Sequence, residues 1–147
     1  PGDNLALASR GAKALSDSEL NGAQGCTAKL NDGVPASYSG IAQTRWHSAL
    51  TPMPHWAEIK LAKPATVRRV IARFADPGGF ATAFDIQVKK GAEYKTVFTT
   101  DANRESQAVN VTFDAAETDT VRFVFRKNAN PTYPTAAQLG ELEVYAH

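Results

Sequence analysis

Apolar side chains recur along this chain mostly at every second position, in short runs separated by Gly, Pro, Asn and Asp, the pattern of half-buried β-strands. In residues 56–61, Ala57, Ile59 and Leu61 share one face while Glu58 and Lys60 take the other. Residues 66–74 follow, with Val70, Ala72 and Phe74 in register. Phe84, Ile86 and Val88 alternate with Asp85, Gln87 and Lys89. Residues 94–99 read as another strand, and 107–113 bury Val109, Val111 and Phe113. Val121, Phe123 and Phe125 alternate with Arg122 and Arg126, and Leu142 and Val144 mark a last strand with Glu141, Glu143 and Tyr145 opposite. Helical periodicity is scarce, and only residues 10–20 are expected to form a short helix. About seven or eight short strands predict an all-β antiparallel sandwich. Its function should lie on loops at the ends, and the long loops are 31–44, 75–83 and 127–138.

Length supports one domain over residues 1–147. Hydrophobic residues make up 43% and charged residues 21%, the balance of an ordinary globular domain. Sixteen basic and fifteen acidic residues are interspersed and the net charge is +1, which argues against nucleic acid or an anionic membrane as partner. The single cysteine, Cys26, excludes an internal disulfide and a CxxC metal motif. No apolar run is long enough for a transmembrane helix. The chain starts at Pro1 without Met, and we expect it to be a piece of a larger polypeptide. The GxSxG elbow, HExxH, GxGxxG and P-loop patterns are all absent, so no enzyme activity is expected. Asn110-Val111-Thr112 fits the glycosylation pattern but falls within a strand.

The order of motifs carries a resemblance. Asn4-Leu5-Ala6 is followed by Asn31-Asp32-Gly33, Arg45-Trp46-His47-Ser48, residues 55–61 as His-Trp-Ala-Glu-Ile-Lys-Leu, Val121-Arg122-Phe123 and Gly140-Glu141-Leu142-Glu143-Val144-Tyr145. This succession resembles the coagulation factor 5/8 type C, or discoidin-like, domains, and most of all the bacterial family 32 carbohydrate-binding modules. The resemblance implies a jelly-roll β-sandwich of the galactose-binding-domain type. It also implies a secreted or cell-surface bacterial module that serves the catalytic domain of a parent glycoside hydrolase or lyase.

Two sites follow from the resemblance. The first is a structural calcium ion on the carboxylates of Asp32 and Glu141, with backbone oxygens of Lys29, Val34 and Gly140 and the hydroxyl of Thr44. Here residues 35–43 are inserted before Thr44, so Ser37 is an alternative ligand. Apart from the family, Asp32 reads equally as an Asx-turn residue and Glu141 as a solvated strand residue. The second is a shallow sugar site for a galactose or N-acetylgalactosamine type of terminal hexose. In it His55 and Arg73 grip hydroxyls, Asn128 or Asn130 adds a contact, Tyr133 stacks under the ring, and Phe80 extends the platform. Aromatic faces supply area and polar side chains supply geometry at such sites. Each residue also has an ordinary reading: His55 caps a strand, Arg73 pairs with Asp76, Tyr133 wedges between prolines. Trp46 and Trp56 read as fillers of the sandwich. Two other functions compatible with the same strands are a sandwich that packs on a neighbouring domain without binding sugar, and a lipid binder using Met53 and Phe80 as apolar spikes, which the charge balance disfavours.

Overall fold

The structure is a computed structural model that describes residues 3–20, 26–34 and 45–147. Among the described residues eight strands form: β1 Lys13–Ser16, β2 Trp46–His47, β3 His55–Arg73, β4 Ala81–Lys90, β5 Glu93–Thr100, β6 Ala108–Asn128, β7 Gln138–Leu139 and β8 Glu141–Tyr145. Every pairing is antiparallel. The strand order is β1-β3-β6-β4-β5, with β8 on the far half of β3, and β2 and β7 make a separate two-stranded ribbon.

Two long strands run through both layers. The ladder between β3 and β6 breaks between Lys60 and Ala65 and shifts again between Val67 and Arg69. Pro64 falls in the first gap, where its missing N–H costs no ladder bond. Before the break β3 pairs with β1, and after it with β8. The two limbs close on each other: the Phe74 ring lies 6.3 Å from Phe123 and 6.1 Å from Phe125, edge-on to both. Ala57, Ile59, Phe84, Ile86 and Phe123 from one limb share a single buried core with Val70, Ala72, Val111, Leu142 and Val144 from the other. The expected sandwich is therefore present, and the alternation named its inward residues.

Two expectations are corrected. Beyond Arg10, the expected helix over residues 10–20 does not form. A 3-10 turn at Ala8–Arg10 leads into β1, whose side chains alternate exposed and half-buried at period two while its backbone covers the edge of β3. Trp46 is fully buried, but Trp56 is half-buried on the outer face of the sheet, where the Arg122 guanidinium lies 3.9 Å from its ring centre. The β4–β5 hairpin turns through Gly91, whose φ of 63° suits glycine. Among the described residues no helix is long and apolar enough to cross a membrane. Met53 and Phe80 are half-buried against the core instead of projecting as spikes.

Candidate functional site

At one end of the sandwich the β2–β7 ribbon sets His47 opposite Gln138. The ribbon is tightly stapled. Trp46 fills the space beneath it, donating its indole N–H to the Ser18 carbonyl at 3.0 Å. Ser48 N–H donates to the Ala137 carbonyl at 2.9 Å, and the Ser48 hydroxyl accepts from Ala137 N–H at 3.0 Å. Arg45 Nε donates to Gln138 Oε1 at 2.6 Å across the ribbon. His47 Nδ1 lies 2.7 Å from the Ser48 carbonyl. That acceptor places the proton on Nδ1 and leaves Nε2 with a lone pair. Burial, aided by the Arg45 and His55 charges, holds the His47 pKa below the usual imidazole range, although the Ser48 contact and Asp76 oppose this.

The loop after β6 is fixed by its own asparagines. Asn128 is buried; its Nδ2 donates to the carbonyls of Tyr133 and Ala136, and its Oδ1 accepts from Asn130 N–H. Asn130 Oδ1 in turn accepts from the N–H groups of Thr132 and Tyr133, at 2.9 and 3.2 Å. These bonds present Tyr133 outward, 55% exposed. On the other side Asp76 opens the 3-10 turn Pro77–Gly79 and accepts the Gly78 N–H at 2.9 Å.

Together these elements enclose a cleft of about 300 Å³. Its polar wall is Arg45, His47, Asp76, Asn130 and Gln138, and its apolar wall is Tyr133 with Leu20 and Leu50. The mixture of donors, acceptors and an exposed ring is what a sugar requires: a C–H face to cover and hydroxyls to pair. Of the residues expected to bind sugar, the structure brings Asn130 and Tyr133 together here. The others have different positions. His55 is only 1% exposed, with Nδ1 on Asp17 Oδ2 at 2.6 Å and Nε2 on the Thr51 carbonyl at 2.7 Å, so neither ring nitrogen is left for a ligand. Arg73 pairs with Glu143, not with Asp76, and does not line the cleft. Asn128 serves the loop backbone, and Phe80 packs on Phe74 at 6.3 Å between ring centres. Neither the residue pattern nor the family resemblance assigns Arg45, His47, Asp76 or Gln138 to the site. The first two lie in the Arg45-Trp46-His47-Ser48 motif of the resemblance, while Gln138 joins them only through strand pairing.

The second candidate site lies where the 3-10 turn Thr27–Asn31 meets β8. Glu141 is 2% exposed, not solvated. Its Oε2 accepts the Gly33 N–H at 2.9 Å, and its Oε1 is buried with no hydrogen-bond donor among the described residues. Burial, and then the neighbouring Asp32 carboxylate, push its pKa up to about 8 against the opposing Gly33 bond. Asp32 Oδ1 accepts the Val34 N–H at 2.9 Å, the expected Asx turn, and Oδ2 lies 3.7 Å from Lys29 Nζ. Gly33 adopts φ 82°, which lets the turn aim its N–H at Glu141. The Gly140 N–H is taken by the Arg73 carbonyl at 2.7 Å, leaving its own carbonyl as the group relevant to a cation. Thr44 and Ser37 lie outside the described residues. Among the described residues no cluster of three or more His, Cys, Asp or Glu could hold a metal. Two adjacent carboxylates, one with an orphaned buried oxygen, nevertheless suit a hard cation that takes its remaining ligands from carbonyls.

Comparison with known proteins agrees with this architecture. No curated protein matches the sequence. Among solved structures, chitosan-binding module 1 of a chitosanase/glucanase from Paenibacillus sp. IK-5 is 29% identical, with 98% of this chain and 99% of that one covered and a TM-score of 0.76. Module 2 of the same enzyme, solved with chitotriose, is 28% identical over 97% and 99% of the two chains, TM-score 0.78. The family 32 module of Clostridium perfringens NanJ, solved with galactose, shares the fold at 18% identity, with 96% and 97% covered and a TM-score of 0.76. The family model described as "NedA-like, galactose-binding domain", of the F5/8 type C group, matches residues 29–123, and the chain belongs to that family, with the fold of the bacterial family 32 carbohydrate-binding modules.

Proposed function

We propose that this chain is a non-catalytic module that holds the terminal hexose of a glycan in the cleft beside Tyr133. In this reading it keeps a parent bacterial glycoside hydrolase or lyase, secreted or on the cell surface, near its substrate. The observation that carries the proposal is the convergence of one exposed aromatic ring with rigidly held polar groups: Tyr133 against Asp76, Asn130, His47 and the Arg45–Gln138 pair. An open cleft of this size suits one or two sugar rings and a Kd of roughly 10 μM to 1 mM. Several modules on one chain turn such weak sites into firm attachment. Galactose and N-acetylgalactosamine are the hexoses that the family resemblance suggests. A glucosamine polymer is the second reading, favoured by the two chitosan-binding modules at 28–29% identity and by the Asp76 carboxylate in the cleft. Affinity gel electrophoresis tests the site. Tyr133→Ala is expected to abolish retardation by whichever glycan the wild type binds, with an unchanged melting temperature. Retardation that survives the substitution eliminates the cleft.

A calcium ion between Asp32 and Glu141 belongs to the same proposal. The orphaned Glu141 Oε1 and the clustering of two carboxylates support it. Asp32 and Glu141 would hold the ion, with carbonyls of Lys29, Val34 and Gly140. When bound, the ion supplies the positive charge that lets both carboxylates stay ionised and ties the Thr27–Asn31 turn to β8.

A further inference from the structure

We infer that Asp76 makes the cleft selective for a hexose carrying a free, protonated amino group over its N-acetylated counterpart; this rests on the cleft being the sugar site. Among the described residues lining the cleft, Asp76 is the sole carboxylate. It is also preorganised. As the residue that opens the Pro77–Gly79 turn, it fixes its Oδ1 on the Gly78 N–H, and its carbonyl accepts the Gly79 N–H at 3.0 Å. Little rotamer entropy remains to be lost when a ligand binds. An ionised carboxylate has about four acceptor directions, and the Gly78 bond uses one of them. Its Oδ2 packs over the buried Gly79, where a Cβ would come within 3.3 Å of it, so a side chain there would crowd the carboxylate.

The formal cation in the cleft wall is placed differently. Arg45 is 6% exposed and commits its Nε to Gln138 Oε1, while Asp76 is half-buried at the rim. His47, with its depressed pKa, is neutral at pH 7. A ligand entering from solvent therefore meets a carboxylate first and the guanidinium behind it. Hydrogen bonds between ionised partners are about twice as strong as neutral ones. An ammonium can form such a bond with Asp76, whereas an acetamide N–H carries no charge and brings an acetyl group that must also be housed.

The test is titration calorimetry on the whole chain with three ligands: the unacetylated glucosamine trisaccharide, its fully N-acetylated form, and galactose. Wild type is compared with Asp76→Asn and Tyr133→Ala. Asparagine still caps the turn by accepting the Gly78 N–H, so Asp76→Asn removes charge and preserves the fold, which an unchanged melting temperature verifies. The expected result is a wild-type preference of about tenfold or more for the unacetylated sugar, lost in Asp76→Asn. An unchanged preference in Asp76→Asn overturns the role of Asp76, as does a wild type that binds galactose or the acetylated sugar equally well or better; in both cases loss of binding in Tyr133→Ala leaves the cleft standing. Binding of every sugar undiminished by Tyr133→Ala, or no binding by wild type, overturns the cleft as well.

Discussion

His55 and His47 show how neighbours decide what an imidazole does. His55 is buried at the start of β3, and both of its nitrogens are spent on Asp17 and Thr51. Asp17 uses its other oxygen on Trp56 N–H at 3.0 Å, so this one pair ties the segment after β1 to the entry of β3. Removing the ring strands a carboxylate and a carbonyl and opens a cavity. His55→Ala is expected to cost about 2 kcal/mol or more, read as a lower denaturation midpoint, while the sugar affinity of the folded fraction is unchanged. A fall in affinity without a fall in stability would return His55 to the site. His47 keeps Nε2 as an acceptor because Ser48 claims the other nitrogen. The resemblance chose His55 for the sugar site and left His47 without a role, whereas the cleft is lined by His47 and not His55. The partner that occupies His55, Asp17, is 38 residues away in the chain, and Gln138 reaches Arg45 across 93 residues. Tyr133 was legible through the family resemblance, which places a stacking aromatic in the last loop; its flanking prolines by themselves read as a packing wedge.

At the scale of elements, alternation found β4, β5, β8 and the limbs of β3 and β6 and named most of their core-facing residues. It did not find β1, expected as helix, nor the two-residue strands β2 and β7, too short to show a period. It could not show that the segments on either side of Pro64, or of residues 114–119, are single strands passing from one layer to the other. A proline or a polar stretch reads as a break, whereas here it marks the bend where the ladder is already interrupted. Nor did alternation reveal what the outward faces do. Arg122 on β6 is sandwiched between Trp56 of β3 and Tyr94 of β5, 3.9 and 3.8 Å from the two ring centres. Its Nε donates to Glu58 Oε1 at 2.9 Å and its Nη2 to the Tyr94 hydroxyl at 2.9 Å, which donates to the same Glu58 oxygen at 2.8 Å. Burial, then Glu58, hold the Tyr94 hydroxyl protonated beyond its ordinary range. The guanidinium is needed here as a flat fork and not merely as a charge. Arg122→Lys is therefore expected to lose about 1–2 kcal/mol, measured as a lower urea midpoint at constant m-value. An unchanged midpoint would mean that the stack is ornamental.

Across the whole molecule, the N-terminal segment and the turn that carries Asp32 both dock on β8. The Val144 carbonyl accepts the Leu5 N–H at 2.8 Å, Val144 N–H donates to Asn4 Oδ1, and Glu141 receives Gly33. Whatever neutralises Glu141 thus acts on the closure of the sandwich. In the absence of a cation the folded carboxyl has a pKa of about 8, against 4.5 for an ordinary glutamate. Between those values the native state keeps a proton that the unfolded chain has released. Stability from this group is then fully present below about pH 4.5 and is lost as pH rises through about 8. The proposed calcium ion, if bound there, would replace the proton and cancel the loss. Thermal melts in chelator should accordingly fall as pH is raised from about 5 to about 8, and excess calcium should restore the midpoint most at the alkaline end. Glu141→Gln, neutral at every pH, should flatten this part of the pH slope and blunt the response to calcium. A wild type whose midpoint in chelator at the alkaline end equals that in calcium would exclude the ion. A pH slope that survives Glu141→Gln would move its origin to other groups.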